Sequence, residues 1–131
     1  MGAIDFKEFL KSCKAQKKID KLARIYKNKK IVLYGAGSFC KSIFENFDLS
    51  KLNIIAVADI KYEKGNKEKF FGLKCINPKE LGNIDCDVIF VSNYDYNAIL
   101  TRLDDEILYL TKNENVEIRP LIKQTFKDLF L

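Results

Sequence analysis

Three short clusters hold the groups with which this chain could do chemistry: Gly35-Ala36-Gly37-Ser38-Phe39, Asp59-Ile60-Lys61 and Ser92-Asn93. The first follows Ile31-Val-Leu-Tyr34, an apolar, β-favouring run of the kind that is buried on both faces of a sheet. It precedes an amphipathic helical pattern with Phe39, Cys40, Ile43, Phe44 and Phe47 on one side. Strand, Gly-x-Gly turn and helix form the phosphate-binding corner of a dinucleotide fold. Gly35 allows the tight turn, and Gly37 has no Cβ to hold a phosphate away from the backbone. The helix start supplies unpaired N–H groups and a partial positive charge.

Asp59 ends a second apolar run, Asn53-Ile-Ile-Ala-Val-Ala58, and lies 24 residues after Gly35 and 22 after Gly37. A carboxylate at this spacing can accept hydrogen bonds from ribose hydroxyls. The competing reading makes Asp59 a strand-terminating turn residue. Lys61 and Lys64 stand close enough in sequence to supply a phosphate partner. Ser92 and Asn93 close a further buried run, Asp87-Val-Ile-Phe-Val91, and belong on the same rim, with Tyr94 and Tyr96 beside them. Ser38 is either a hydroxyl donor to phosphate or the helix N-cap. Cys40 departs from the fingerprint, because it stands where G-x-G-x-x-G has its third Gly or Ala.

Other chemistries fit poorly. The chain has no His, and its four cysteines, Cys13, Cys40, Cys75 and Cys86, form no C-x-x-C pair. A zinc site and a Ser or Cys hydrolase both lack their ligands or base. The expected state of the cysteines is reduced, buried thiol. A Tyr-x-x-x-Lys pair occurs as Tyr26 and Lys30, ahead of the first strand and on the wrong side of the nucleotide corner for a dehydrogenase or epimerase. Tyr34 and Phe39 stand where a SAM-dependent methyltransferase has an acid and a glycine.

The elements that must position these groups read as an α/β chain. After the two strands comes a polar stretch, 61–69, then a short third strand around Phe70 to Ile76. Asn77-Pro78 starts a brief helix, with Asn77 as its cap. The run ending at Ser92 is strand four. A helix is expected from about Asn97 to Lys112, a fifth strand at Val116-Glu-Ile118, and a closing helix or tail from Pro120 to Leu131. The expected architecture is a Rossmann-like parallel sheet of about five strands, order 3-2-1-4-5, with the site where strands one and four diverge.

Residues 1–28 are an added, basic helical segment, and 29–131 are the nucleotide-binding domain. Phe6, Phe9, Leu10 and Cys13 follow helical spacing, and so do Ile19, Leu22, Ala23 and Tyr26. The two stripes are out of phase, since six residues rotate the face by about 240°. A break near Lys14–Lys18, or a helix that wraps over two surfaces, reconciles them. Phe6, Phe9 and Leu10 are expected to dock on the sheet's edge, on a second copy, or on a partner enzyme domain.

Length and composition agree with one globular domain: 131 residues, 47% hydrophobic and 31% charged. The net charge of +5 is concentrated at the start, where residues 1–30 hold ten Lys/Arg against three acids. That segment reads as a Lys-rich solvated helix face, without a nucleic-acid motif. No apolar run reaches the length of a membrane span, and Met1 to Ile19 interleaves charge with apolar residues. A cytoplasmic location is therefore expected.

The layout of Gly35-Ala-Gly-Ser-Phe39, Val57-Ala-Asp59, Phe71-Gly-Leu-Lys-Cys-Ile-Asn-Pro-Lys-Glu-Leu81 and Asp87-Val-Ile-Phe-Val-Ser92 resembles a known family. It is similar to the small Rossmann-like domain of bacterial glycan-biosynthesis enzymes, found at the N-terminus of sugar acetyltransferases and of nucleotide-sugar dehydratases. The resemblance covers roughly residues 29 to 100. Its most telling part is Phe-Gly-x-x-x-Ile-x-Pro-x-x-Leu, which generic NAD dehydrogenases lack. It implies binding of a nucleotide or nucleotide-sugar beside a glycan-modifying enzyme. In the acetyltransferases a separate β-helix carries the catalytic His, and this chain has neither that repeat nor a His. The expectation is thus a binding domain without turnover of its own, for a nucleotide-sugar or NAD(P). The alternatives are a small NAD(P)-dependent oxidoreductase, with its site completed by dimerisation, or an epimerase- or dehydratase-like enzyme, and a Rossmann-shaped interaction module with an empty pocket.

Overall fold

A computed structural model describes residues 5–64, 69–96, 99–100 and 116–124. In chain order these form helices α1 (Lys7–Ser12) and α2 (Ala15–Ile25), strand β1 (Ile31–Tyr34), helix α3 (Ser38–Asn46) and strand β2 (Ile54–Ala58). Strands β3 (Cys75–Ile76), β4 (Val88–Val91) and β5 (Glu117–Pro120) follow, with 3-10 turns at Ile60–Tyr62 and Pro78–Asn83. The sheet has the order β3-β2-β1-β4-β5, and every pairing in it is parallel. The fold is therefore the α/β, Rossmann-like sheet expected, with helices preceding β1.

A parallel sheet must be covered on both faces, and the alternation along each strand shows how. Ile31 and Leu33 of β1, Val57 of β2, and Val88 and Phe90 of β4 pack in one cluster with Cys40 and Ile43 of α3. Leu10 of α1 and Ala15 and Ile19 of α2 belong to that same cluster. Val32, Tyr34, Ala56, Ala58, Ile89 and Val91 point the other way, onto Leu81, Tyr96 and Val116. The prefix thus shares the core with α3. It covers the half of this face over β4 and β5: the Tyr26 ring packs edge-on to Phe90 at 5.2 Å, and Lys18 Nζ donates to the Lys123 carbonyl at 2.7 Å.

The phase conflict in the prefix is resolved by a break. Lys14 takes the left-handed conformation (φ 56, ψ 50) between α1 and α2, which lets Cys13 and Ala15 both be buried. A side chain in this region costs about 1–2 kcal/mol relative to right-handed backbone. Lys14→Gly is accordingly expected to raise stability by about 0.5–1 kcal/mol, read by denaturant unfolding. An unchanged or lower midpoint would show that the lysine stem contributes packing that offsets the strain.

The expected third strand is shorter than its apolar run. Phe70 and Leu73 pair across a tight turn whose central residues, Phe71 and Gly72, both have positive φ (49 and 81), and only Cys75–Ile76 joins β2. Gly72 suits that backbone, and the following Asn77-Pro78 start carries a full capping box with Glu80. The helix expected from about Asn97 to Lys112 falls largely outside the described residues; Ile99 and Leu100 are helical and lie against the second cluster. Any closing helix beyond Gln124 also falls outside them.

Candidate functional site

The three clusters picked out in the sequence converge at the C-terminal ends of β1, β2 and β4. Gly35 continues β1 by donating its N–H to the Ala58 carbonyl at 2.8 Å, and Ser92 N–H donates to the Tyr34 carbonyl at 2.9 Å. Gly35 then turns with φ 114, a conformation that suits glycine. The Asn93 side chain lies against its Cα, in the space a Cβ would need. Three parallel strands, β1, β2 and β4, therefore end together beneath one Gly-x-Gly turn.

Gly37 has a different task. Its backbone is extended (φ −93, ψ −162), and a Cβ built there would meet nothing within 4 Å. It is the exposed N-cap residue of α3, and no side chain caps that helix start. The first-turn N–H groups of a helix have no intrahelical acceptor, so α3 presents donors and a partial positive charge to open space. Ser38 occupies the first helical position, which excludes it as the N-cap. Its half-buried hydroxyl has no partner among the described residues.

Asp59 and Lys61 brace this turn. One carboxylate oxygen of Asp59 accepts the Ala36 N–H at 2.8 Å, and the other accepts the Lys61 N–H at 3.0 Å. The Lys61 ammonium donates to the Ala36 carbonyl at 2.5 Å and lies 5.5 Å from the centre of the Tyr62 ring. Asp59 is therefore a turn-forming residue. Each of its oxygens keeps a second lone pair, which leaves it able to accept a ribose hydroxyl as well. The Lys61 ammonium has no carboxylate partner among the described residues. Ile60, between them, is 48% exposed on the rim.

Ser92 corrects the expectation of a ligand contact. It is 0% exposed, and its hydroxyl donates to the Gly35 carbonyl at 2.6 Å, so it supports the turn from behind. Asn93 likewise packs on the turn. Phe39 is 5% exposed and turns inward. Its ring lies 5.0 Å from Phe6 and 5.8 Å from Tyr94, and Tyr94 stacks on Phe6 at 5.2 Å. The Phe6/Phe9/Leu10 face, expected on an edge, a second copy or a partner domain, is thus used within the chain, beside the Gly-x-Gly turn. The helical spacing of these residues was visible in the sequence, but its target was not.

Cys40 lies under the turn and is 0% exposed. Burial pushes its thiol from the usual 9.0 up to about 12, against the opposing pull of the Ser92 hydroxyl and the Lys61 ammonium. Raising an acid's pKa on folding favours the protonated native state. That contribution is complete below about pH 9 and is lost as pH climbs towards about 12. None of the four cysteines is in a disulfide, and Cys75 is the one that is not fully buried. Alkylation at about pH 8 is expected to mark Cys75 first, with Cys13, Cys40 and Cys86 reacting only as the protein unfolds. Peptide mass mapping reads this directly, and native labelling of Cys40 at the Cys75 rate would contradict the burial argument.

The Tyr26/Lys30 spacing has no catalytic geometry. Tyr26 donates to Glu117 at 2.9 Å, and Lys30 pairs with Asp85 at 2.5 Å. Burial and the Glu117 bond raise the Tyr26 pKa, the opposite of what proton transfer requires. Among the described residues, no group of three His, Cys, Asp or Glu side chains is placed to hold a metal ion. No helix among them is long and apolar enough to cross a membrane.

A family model described as C2185-like, N-terminal, matches residues 27–116. That span runs from just before β1 to the start of β5 and contains the whole corner. No curated protein and no solved structure matches the chain.

Proposed function

The chain belongs to the C2185-like N-terminal family, and we propose that it is a nucleotide-binding domain that holds the diphosphate of a nucleotide-sugar or dinucleotide at Gly37 and Ser38. The observation that carries this reading is the open Cβ position at Gly37, directly before the uncapped start of α3. A glycine that nothing in its own fold requires at that point is a space kept for a ligand's phosphate. The Ser38 hydroxyl, without a partner among the described residues, and the Lys61 ammonium, without a carboxylate partner among them, add a donor and a positive charge of the right kind. The spare lone pairs of Asp59 favour a ribose with a free 2′-hydroxyl, so NAD is expected to bind more tightly than NADP.

The resemblance in Phe71–Leu81 supports a partnership with a glycan-modifying enzyme, and with it a nucleotide-sugar ligand. In this reading the chain supplies binding and the partner supplies chemistry. A thermal-shift panel of NAD, NADP, UDP-sugars, GDP-sugars, CoA and SAM tests the reading. A true ligand at about 100 times its Kd is expected to stabilise the fold by roughly 2.7 kcal/mol. A panel without any shift would leave the interaction-module reading instead. Steady conversion of a bound nucleotide-sugar or nicotinamide by the purified chain, followed by mass spectrometry, would favour the small NAD(P)-dependent oxidoreductase.

A further inference from the structure

Two of the large apolar side chains that stay exposed flank the Gly-x-Gly turn: Ile60 follows β2, and Tyr94, 45% exposed, follows β4. The strand that carries the turn, β1, lies between those two. Tyr94 is held by other rings. It stacks on Phe6 at 5.2 Å and 28°, and it meets Phe9 and Phe39 edge-on at 5.1 and 5.8 Å. Phe39 follows Ser38 in the first turn of α3, so the Tyr94 ring stands beside that helix start. Phe6 and Phe9 come from the prefix, outside the residues 27–116 that match the family model. The Phe6 N–H donates to the Ser42 hydroxyl of α3 at 3.3 Å, and the Tyr94 carbonyl accepts from the Gln124 side-chain amide at 3.3 Å. The start of α1 and the loop after β4 are thus both fastened in place, and Tyr94 keeps uncovered surface at the rim.

We propose, resting on the diphosphate position at Gly37 and Ser38, that the prefix completes the ligand site: Tyr94, held by Phe6 and Phe9, stacks on the ring that the ligand carries beyond its diphosphate. The order of the strands gives the direction. Asp59 follows β2 and Tyr94 follows β4, on opposite sides of β1. A ligand whose ribose meets Asp59 and whose diphosphate crosses the start of α3 therefore directs its far end to Tyr94. The ring there is a hexose or a nicotinamide, and both present a flat face on which an aromatic side chain packs. Covering the exposed side of Tyr94 with that face removes apolar surface from water. Contact with three other rings fixes the tyrosine before the ligand arrives, so little rotamer freedom is lost on binding. Phe6 and Phe9 are positioning residues in this arrangement, since they act on the ligand through Tyr94.

The test is calorimetric titration of the full chain with UDP, GDP and ADP, and with UDP-glucose, GDP-mannose and NAD. Tyr94→Leu keeps apolar volume against Phe39 and removes the ring, whereas Tyr94→Phe keeps the ring. Tyr94→Leu is expected to weaken the complete ligand by about tenfold and to leave its nucleoside diphosphate unchanged. Tyr94→Phe should restore wild-type affinity, and Phe6→Ala should give a smaller loss with the same selectivity. The hexose or nicotinamide protons should also shift upfield in the wild-type complex, by the ring current of Tyr94, and not in Tyr94→Leu. Whichever ring shifts identifies the ligand class. Equal weakening of the complete ligand and its nucleoside diphosphate would reduce Tyr94 to a structural role and overturn the proposal. So would unshifted ring protons in the wild-type complex, which needs no variant to fold; in either case the diphosphate site stands. Absence of binding by all six compounds would remove the diphosphate site and the aromatic platform with it.

Discussion

Gly35→Ala is expected to destabilise the domain by about 3 kcal/mol, which lowers its melting temperature by roughly 10 °C. Two independent costs combine. The backbone at φ 114 lies in a region that L side chains rarely adopt, and the new Cβ would run into the Asn93 amide. They are separable, since Asn93→Ala removes the obstacle and leaves the dihedral unchanged. The double variant should therefore recover part of the loss, with a coupling of about 1 kcal/mol between the two sites. Urea unfolding of the four proteins in the cycle measures it. A Gly35→Ala loss below about 0.5 kcal/mol would show that the turn relaxes to accommodate a side chain. The connection to the proposed function is direct, because Gly35 sets the direction in which Gly37 and the start of α3 face.

Gly37→Val is expected to do the reverse: keep the fold and remove the ligand. The extended backbone at Gly37 suits any residue, and the space beside it is empty. Replacing Gly by Val at an N-cap costs about 1 kcal/mol, because Val is a poor N-cap residue. Its branched side chain would fill the place of the diphosphate, so nucleotide affinity should fall by about 100-fold or more, equivalent to about 2.7 kcal/mol. Calorimetric titration with the best ligand from the panel reads the loss, and Gly37→Ala should fall between the two. Unaltered binding to a folded Gly37→Val would move the site away from this corner. The two glycines, separated by one residue, are thus expected to be told apart by opposite outcomes: loss of the fold at Gly35 and loss of the proposed ligand at Gly37.

Much of the fold was legible because its causes are local or periodic. Continuous apolar runs at Ile31–Tyr34, Ile54–Ala58 and Val88–Val91 are what a parallel sheet buried on both faces requires. The Asn77-Pro78 start and its capping box depend on residues within one turn. The break in the prefix was visible as a phase shift, though the residue that adopts the left-handed backbone, Lys14, was not.

The roles within the corner were less legible, because spacing brings residues to one rim without saying which groups are already spent. Asp59 stands at the spacing of a ribose-binding acid, and tertiary structure gives its carboxylate to the Ala36 and Lys61 N–H groups. Ser92 stands on the same rim, and a hydrogen bond to the Gly35 carbonyl puts it behind the turn. The order of the strands and the two Gly-turn glycines were determined by the sequence alone, through hydrophobic run length, chain direction and the absence of a Cβ. Tertiary packing decided the rest. It laid α2 over β4 and β5 because that half of the sheet face had to be covered, set α1 against α3, and so brought Phe6 beside the corner. No local pattern specifies such a placement: an amphipathic stripe states that a helix must bury one face, and only the uncovered sheet states where.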